Sequence, residues 1–304
     1  LDEEYRIMPD ITRLPLPLRI VLLVTGAAAI SGVVYLAGLY LVPLTDPIDK
    51  QITAAFNPDA YLPGVDELFR AITDYTTFLI AVPLISWLVA AGLLRLLPRL
   101  RPALVGMLGV ETLVVFGVAV FTDKLWPNST YTGVNVLFHL GILAAFGSTA
   151  YYFHRLRLDQ VRRVTRLFGL VLVSALLFNL PATNTIKSEI ARPRPMNDAH
   201  KPWNESLRTI PDELVRGASS FPSGHTSSSF ALLTPIFWFV SDRRARAGLA
   251  AWAVMQGLSR VYTVAHFPFC CAMGGLLGFT IGTLVFFLLG GPSLRPKTPD
   301  TAAA

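Results

Sequence analysis

The chain has 304 residues, of which 53% are hydrophobic and 15% charged, with a formal net charge of +6. Soluble domains carry about 25% charged residues, so this composition excludes a disordered chain and argues against a soluble enzyme. It also argues against a nucleic-acid binder, because the basic residues fall between long apolar runs and do not form one solvated face.

The apolar runs predict a polytopic, all-α membrane protein of about eight spans in one transmembrane domain, 20–290. Residues 1–19 precede it as a cytoplasmic segment, and 291–304 follow as a polar tail. The first run, Ile20 to Leu41, is too long for a signal-peptide core and reads as a retained span. Thr45 to Thr77 then alternates Ile52, Phe56, Leu62, Val65, Leu68, Phe69 and Ile72 with Asp, Lys, Asn and Pro. That pattern is amphipathic and interfacial.

Further spans are expected at Phe78 to Leu94, Ala103 to Phe121, Val134 to Phe153 and Leu167 to Leu180, the last continuing to about Thr185. After an outer loop, 188–222, come Ser227 to Val240, Leu249 to Val261 and Cys270 to Leu289. The only cysteines, Cys270 and Cys271, are adjacent within the last run. They provide neither a disulfide framework nor a thiolate metal site.

With the N-terminus inside, 16 of the 26 basic residues lie on inner segments, which satisfies the positive-inside rule. The exception is a basic cluster from Lys187 to Arg260 on the outer side. Ionisable residues within spans are costly. Glu111 and His139, inside the third and fourth spans, read as a structural polar contact between those two helices.

Three short segments explain the outer cluster. Lys187 to Pro195 ends the fifth span, Phe221-Pro222-Ser223-Gly224-His225 opens the sixth, and Ser259-Arg260 to His266 ends the seventh. Topology alone puts all three at one membrane face, so Lys187, Arg194, His225, Arg260 and His266 can share one pocket. Arginine forks suit phosphate. Ser223 and Gly224 sit where a helix start directs N–H groups outward. One histidine can attack phosphorus while the other protonates the departing oxygen. Carboxylates suited to hold a metal pair are too few, so the pattern indicates phosphoryl transfer through a phosphohistidine, without metal or other cofactor.

The segments Lys187-x6-Arg194-Pro195, Pro222-Ser223-Gly224-His225 and Ser259-Arg260-x5-His266 match, in order and spacing, those of the type 2 phosphatidic acid phosphatase superfamily, which the chain resembles. The resemblance covers about 80 residues through these motifs and extends more loosely from Asp46 to about Leu289. It implies that Lys187, Arg194 and Arg260 hold the phosphate, that Ser223 and Gly224 donate hydrogen bonds to it, that His225 is the general acid and that His266 is the nucleophile. Two departures stand out. The family's Asp, which orients the nucleophile, is Cys270 here, although some members with the same Ala265-His266-Phe267-Pro268 run also lack it. A thiol orients a histidine poorly; Glu189, Asp198, Glu205 or a backbone carbonyl are the candidate replacements. The family's lipid phosphatases usually have six spans, and the third and fourth here read as the added pair.

The implied substrate is a lipid phosphate or pyrophosphate in the bilayer: undecaprenyl pyrophosphate, phosphatidylglycerol phosphate, phosphatidic acid or a lipid A phosphate. The expected location is a bacterial inner membrane, with the site facing the periplasm or exterior and both termini cytoplasmic. The loop Met196 to Ser220 would shape head-group choice. Two alternatives remain open at this point: a phosphotransferase using the same phosphohistidine, and a lipid-phosphate binder without turnover.

Overall fold

The computed structural model describes residues 13–56, 64–121, 132–195 and 219–294. Among them the chain is all-α. Its helices, in order, are α1 (Leu16–Tyr40), α2 (Val42–Ala55), α3 (Val65–Leu96), α4 (Arg101–Phe121), α5 (Thr132–Arg155), α6 (Leu158–Glu189), α7 (Gly224–Phe239), α8 (Arg243–Tyr262) and α9 (Pro268–Leu288).

Among the described residues, five helical stretches are long and apolar enough to cross a membrane: Leu16–Tyr40, Leu79–Leu96, Pro98–Val118, Leu158–Glu189 and Pro268–Leu288. The expected number was eight. The fourth expected span, in α5, and the sixth and seventh, in α7 and α8, are not among these five. The helix α7 has only 16 residues and includes a Ser/Thr-rich first half. The helix α8 begins with three arginines and buries Gln256, Ser259 and Arg260 near its other end. Both give polar positions to the interior, where they serve the site. The amphipathic expectation also divides. The helix α2 is a separate element, whereas Val65 onward already belongs to the long helix α3. Residues 1–12, 57–63, 122–131, most of the outer loop (196–218) and the tail from 295 lie outside the described residues, with Asp198 and Glu205 among them.

The helices run up and down. At one end, Arg19 of α1 donates to the Leu288 carbonyl of α9 at 3.3 Å. Where α5 ends, Arg101 of α4 donates to the carbonyls of Phe153 and His154 at 3.0 Å each, and to that of Leu156. These arginines satisfy carbonyls left unpaired where helices end.

The tightest seam joins α7 to α9, and its cause is legible in the residues. Gly274, Gly278 and Gly282 recur every fourth position along one face of α9. A Cβ at Gly278 would lie 2.1 Å from the Ser227 carbonyl oxygen, and one at Gly274 would lie 2.6 Å from that of Ser223. Only a bare Cα lets the backbones approach so closely, the usual solution where hydrophobic exclusion from water cannot drive helix pairing. The seam delivers the start of α7 onto the start of α9.

In α6 the turns over Val173–Asn179 widen to π-helical geometry just before Pro181. Proline lacks the N–H and crowds the carbonyl four residues earlier, and a wide turn accommodates both effects. Beyond it Asn179, Thr183 and Lys187 share one face at a spacing of four. Asn179 Nδ2 donates to Ser227 Oγ at 3.3 Å, and Thr183 Oγ1 lies 3.1 Å from the same atom. This polar seam against α7 directs Lys187 toward the site.

Candidate active site

The three sequence segments converge at the end of the bundle opposite the Arg19–Leu288 contact. Lys187 on the last turn of α6 donates from Nζ to the Ser219 carbonyl at 2.7 Å. Its Cε is the nearest atom, 3.5 Å, to where a Cβ on Gly224 would stand. Ser223 caps α7, its Oγ accepting from Thr226 N at 3.4 Å. The Phe221–Pro222 bond before it is cis. His225 is exposed on the first turn of α7. Arg260 and His266 are buried, at 7% and 1% exposure. The charges nearest to both histidines are the same three, those of Arg260, Arg194 and Lys187. The expected phosphate-binding cations therefore lie close enough to act electrostatically on both histidines.

His266 owes its place to a sharp reversal after α8. Val264 adopts φ +57°, a left-handed conformation that a β-branched residue takes only when its surroundings impose it. The reversal folds the chain back so that Ala265 N and His266 N both donate to the Arg260 carbonyl, at 3.0 and 3.1 Å. Nucleophile candidate and phosphate-binding candidate are therefore held by one turn. From the side, α3 supports α8: Thr73 Oγ1 donates to Ser259 Oγ at 2.8 Å, and Phe69 stacks on Tyr262 with ring centroids 4.4 Å apart.

The imidazole is oriented by the backbone. His266 Nδ1 lies 2.7 Å from the Ser220 carbonyl oxygen. A carbonyl only accepts, so this contact sets the tautomer with Nδ1 protonated and leaves Nε2 with its lone pair. Among the described residues, a backbone carbonyl, that of Ser220, stands at this position. Cys270 takes a hydrogen bond at its Sγ from Arg192 Nη1 at 3.2 Å and from Ser220 Oγ at 3.4 Å. Burial holds His266 well below the ordinary histidine range, and Arg260, Lys187 and Arg194 push in the same direction. The Ser220 hydrogen bond opposes them. The ring is thus neutral at physiological pH, as a nucleophile must be.

The role expected of Ser223 is narrowed. Its backbone N–H donates to the Cys270 carbonyl at 2.9 Å, joining the starts of α7 and α9. Its hydroxyl lies 2.9 Å from Thr226 Oγ1. The first helix N–H groups left to face an anion are those of Gly224 and His225. Among the described residues no group of three or more His, Cys, Asp or Glu is arranged to hold a metal ion.

Sequence reasoning missed the acidic partners of Arg192. Asp46 and Asp49 lie one turn apart on α2. Arg192 Nη2 donates to Asp46 Oδ1 at 2.8 Å, and Nη1 lies 2.9 Å from Asp49 Oδ2. The available signal was an acidic pair at helical spacing, just after a span and on the side that holds the outer arginines. Glu111 and His139 lie elsewhere. Glu111 accepts from Ser86 of α3 at 2.5 Å, and His139 meets the Phe116 ring edge-on.

These features define a membrane-spanning helical bundle with a cation-lined, two-histidine pocket at one end. Residues 163–290 match the PAP2 superfamily. The chain is 34% identical to phosphatidylglycerophosphatase B of Bacillus subtilis over 32% of its length and 51% of that protein. It is 30% identical to a probable diacylglycerol pyrophosphate phosphatase 1 of Schizosaccharomyces pombe, over 51% of its length and 64% of that protein. It thus spans less than two thirds of either relative. No solved structure matches it.

Proposed function

We propose that the protein is a membrane lipid phosphatase working through a phosphohistidine. The observation that carries this reading is the pairing of a buried, neutral His266, its Nδ1 held by the Ser220 carbonyl, with three cations and a second histidine, His225, on the facing helix start. The two relatives are named for phosphatase activity on glycerophospholipids.

In this mechanism Arg194, Arg260 and Lys187 bind the phosphate, and the Gly224 and His225 N–H groups face its oxygens. Their charge offsets the charge that builds up in the transition state. The Nε2 lone pair of His266 attacks phosphorus. The bond from phosphorus to the lipid oxygen breaks, and His225, which burial and the three cations hold neutral until the bound phosphate offsets their charge, gives its proton to that oxygen. His225 then takes a proton from water, whose oxygen attacks phosphorus. The N–P bond breaks, and inorganic phosphate leaves with His266 restored.

The substrate is a lipid phosphate or pyrophosphate whose chains stay in the bilayer. The positive-inside bias supports a cytoplasmic location for the Arg95–Arg101 and Arg243–Arg246 ends. The pocket then faces the periplasm or exterior of a bacterial inner membrane. The backbone acceptor at His266 favours turnover over binding alone, because the missing carboxylate does not leave the imidazole unoriented.

The test is to trap the intermediate from a lipid carrying labelled phosphate. The expected result is label on the protein that is stable to base and labile to acid, and absent in His266→Ala. Label in both proteins, or in neither during turnover, would overturn the mechanism. Transfer of the label to an added lipid acceptor, in place of release to solution, would establish the phosphotransferase.

A further inference from the structure

Behind the imidazole lies a buried polar cluster that the phosphate chemistry does not use. Asp49 is 3% exposed and Arg192 is 5% exposed, both far below what charged side chains normally show. Burying such a pair carries a desolvation penalty that only good pairing offsets, so its presence calls for a role. The cluster is built from three separate parts of the chain. Asp46 and Asp49 come from α2, Arg192 from the turn after α6, and Cys270 from the first turn of α9.

Several contacts of Arg192 lead toward His266. Its Nη1 donates to Cys270 Sγ at 3.2 Å, and its guanidinium lies 4.1 Å from the centre of the Phe267 ring, next in sequence to His266. Its backbone carbonyl accepts from Ser220 N at 2.8 Å, and its own N–H donates to Ser219 Oγ at 3.2 Å. Ser220 is the residue whose carbonyl holds His266 Nδ1. Asp49 also accepts from Phe269 N at 3.0 Å. It supplies the first turn of α9 with the cap that its own N-cap residue, Phe267, cannot provide.

We propose that Arg192, pinned by Asp46 and Asp49 of α2, is the positioning residue for the His266 nucleophile, and that this cluster takes over the orienting task of the carboxylate absent at position 270. The negative charge is present but displaced by one side chain. Asp49 and Asp46 fix Arg192. Arg192 fixes Ser220 from one side and Cys270 from the other, and the Ser220 carbonyl fixes the ring. The amphipathic helix α2 thereby becomes part of the catalytic apparatus without touching substrate. This inference rests on the phosphatase reading.

The experiment is a double-mutant cycle between Asp49→Asn and Cys270→Asp, measured as phosphate release from a lipid phosphate in detergent, with His266→Ala alongside. Asparagine keeps an acceptor for Phe269 N and removes only the charge that faces Arg192. In the native background Asp49→Asn is expected to lower kcat by about 10–100-fold with KM little changed, as loss of a group that orients a reacting ligand does. In the Cys270→Asp background, where a carboxylate stands beside His266 and Arg192, the same change is expected to lower kcat less than about threefold. An equal loss in both backgrounds, or no loss in the native one, overturns the proposal. If Asp49→Asn does not fold, Asp46→Asn, which leaves the α9 cap intact, is judged by the same criterion. Retained activity in His266→Ala would instead reject the underlying site. The two failures are therefore distinguishable.

Discussion

Two regions of the molecule build helices of different character. In α9, 56% of the most apolar stretch is buried inside the protein; in the stretch that includes α4, Pro98–Val118, the share is 17%. The helix α9 packs through bare glycines against α7 and contributes the Ser223–Cys270 backbone link. The helix α4 leaves Val110, Leu113 and Val114 exposed on its outer face; beyond Arg101 at its start, its polar link to a neighbouring helix is Glu111 to Ser86. Apolar composition is similar in both. What separates them is whether close backbone approach and buried polar groups fix the helix in one place. The site belongs to the region that is so fixed, and the α4–α5 pair lies beside it with an exposed apolar face.

This contrast can be broken in the following ways. Gly278→Leu should prevent recovery of folded protein, because a Cβ there would overlap the Ser227 carbonyl at 2.1 Å. Gly109→Leu in α4, with nothing within 4 Å of its Cβ position, should fold normally. Size-exclusion profiles in detergent check both, and a monodisperse Gly278→Leu would contradict the seam.

Arg260→Lys should fold but lose about 10²–10³-fold in kcat/KM, the scale of losing one preorganised donor to a developing anion. An unchanged value would remove Arg260 from the phosphate site.

The pH profile sharpens the assignment of His266. Its folded value is depressed, so the neutral nucleophile persists below the ordinary histidine value of 6.5. The acidic limb of kcat/KM assigned to it should therefore lie below pH 6.5. Stability follows the same sign. The unfolded chain binds a proton there that the folded chain refuses, so stability falls as pH drops below about 6.5. An acid limb above pH 7 that vanished in His266→Ala would contradict the burial argument.

The smallest effect should come from Glu111→Gln. The amide oxygen still accepts from Ser86, so turnover should be unchanged and the melting temperature should move by a few degrees at most.

Much of this was legible in the sequence. The three motif segments, the alternation of spans and the basic excess on one side were enough to bring Lys187, Arg194, His225, Arg260 and His266 to one end. The glycine spacing of α9 and the Asn179-Thr183-Lys187 face were also written there, but they acquire meaning only against a specific partner helix. What could not be read was tertiary. The acceptor for His266 is a backbone carbonyl, which has no sequence signature. The charge behind it comes from α2, about 220 positions away in the chain. The helices α7 and α8 are less apolar than the other expected spans because they place Ser, Thr, Gln and Arg on their inner faces.

The most direct test of the account is phosphate release by the purified protein in detergent, across a panel of lipid phosphates and in the presence of EDTA, compared with His266→Ala. The account predicts release from at least one lipid, undiminished by the chelator and lost in the variant. Release that persists in His266→Ala, or that EDTA abolishes and magnesium restores, would contradict a histidine-based, metal-independent phosphatase.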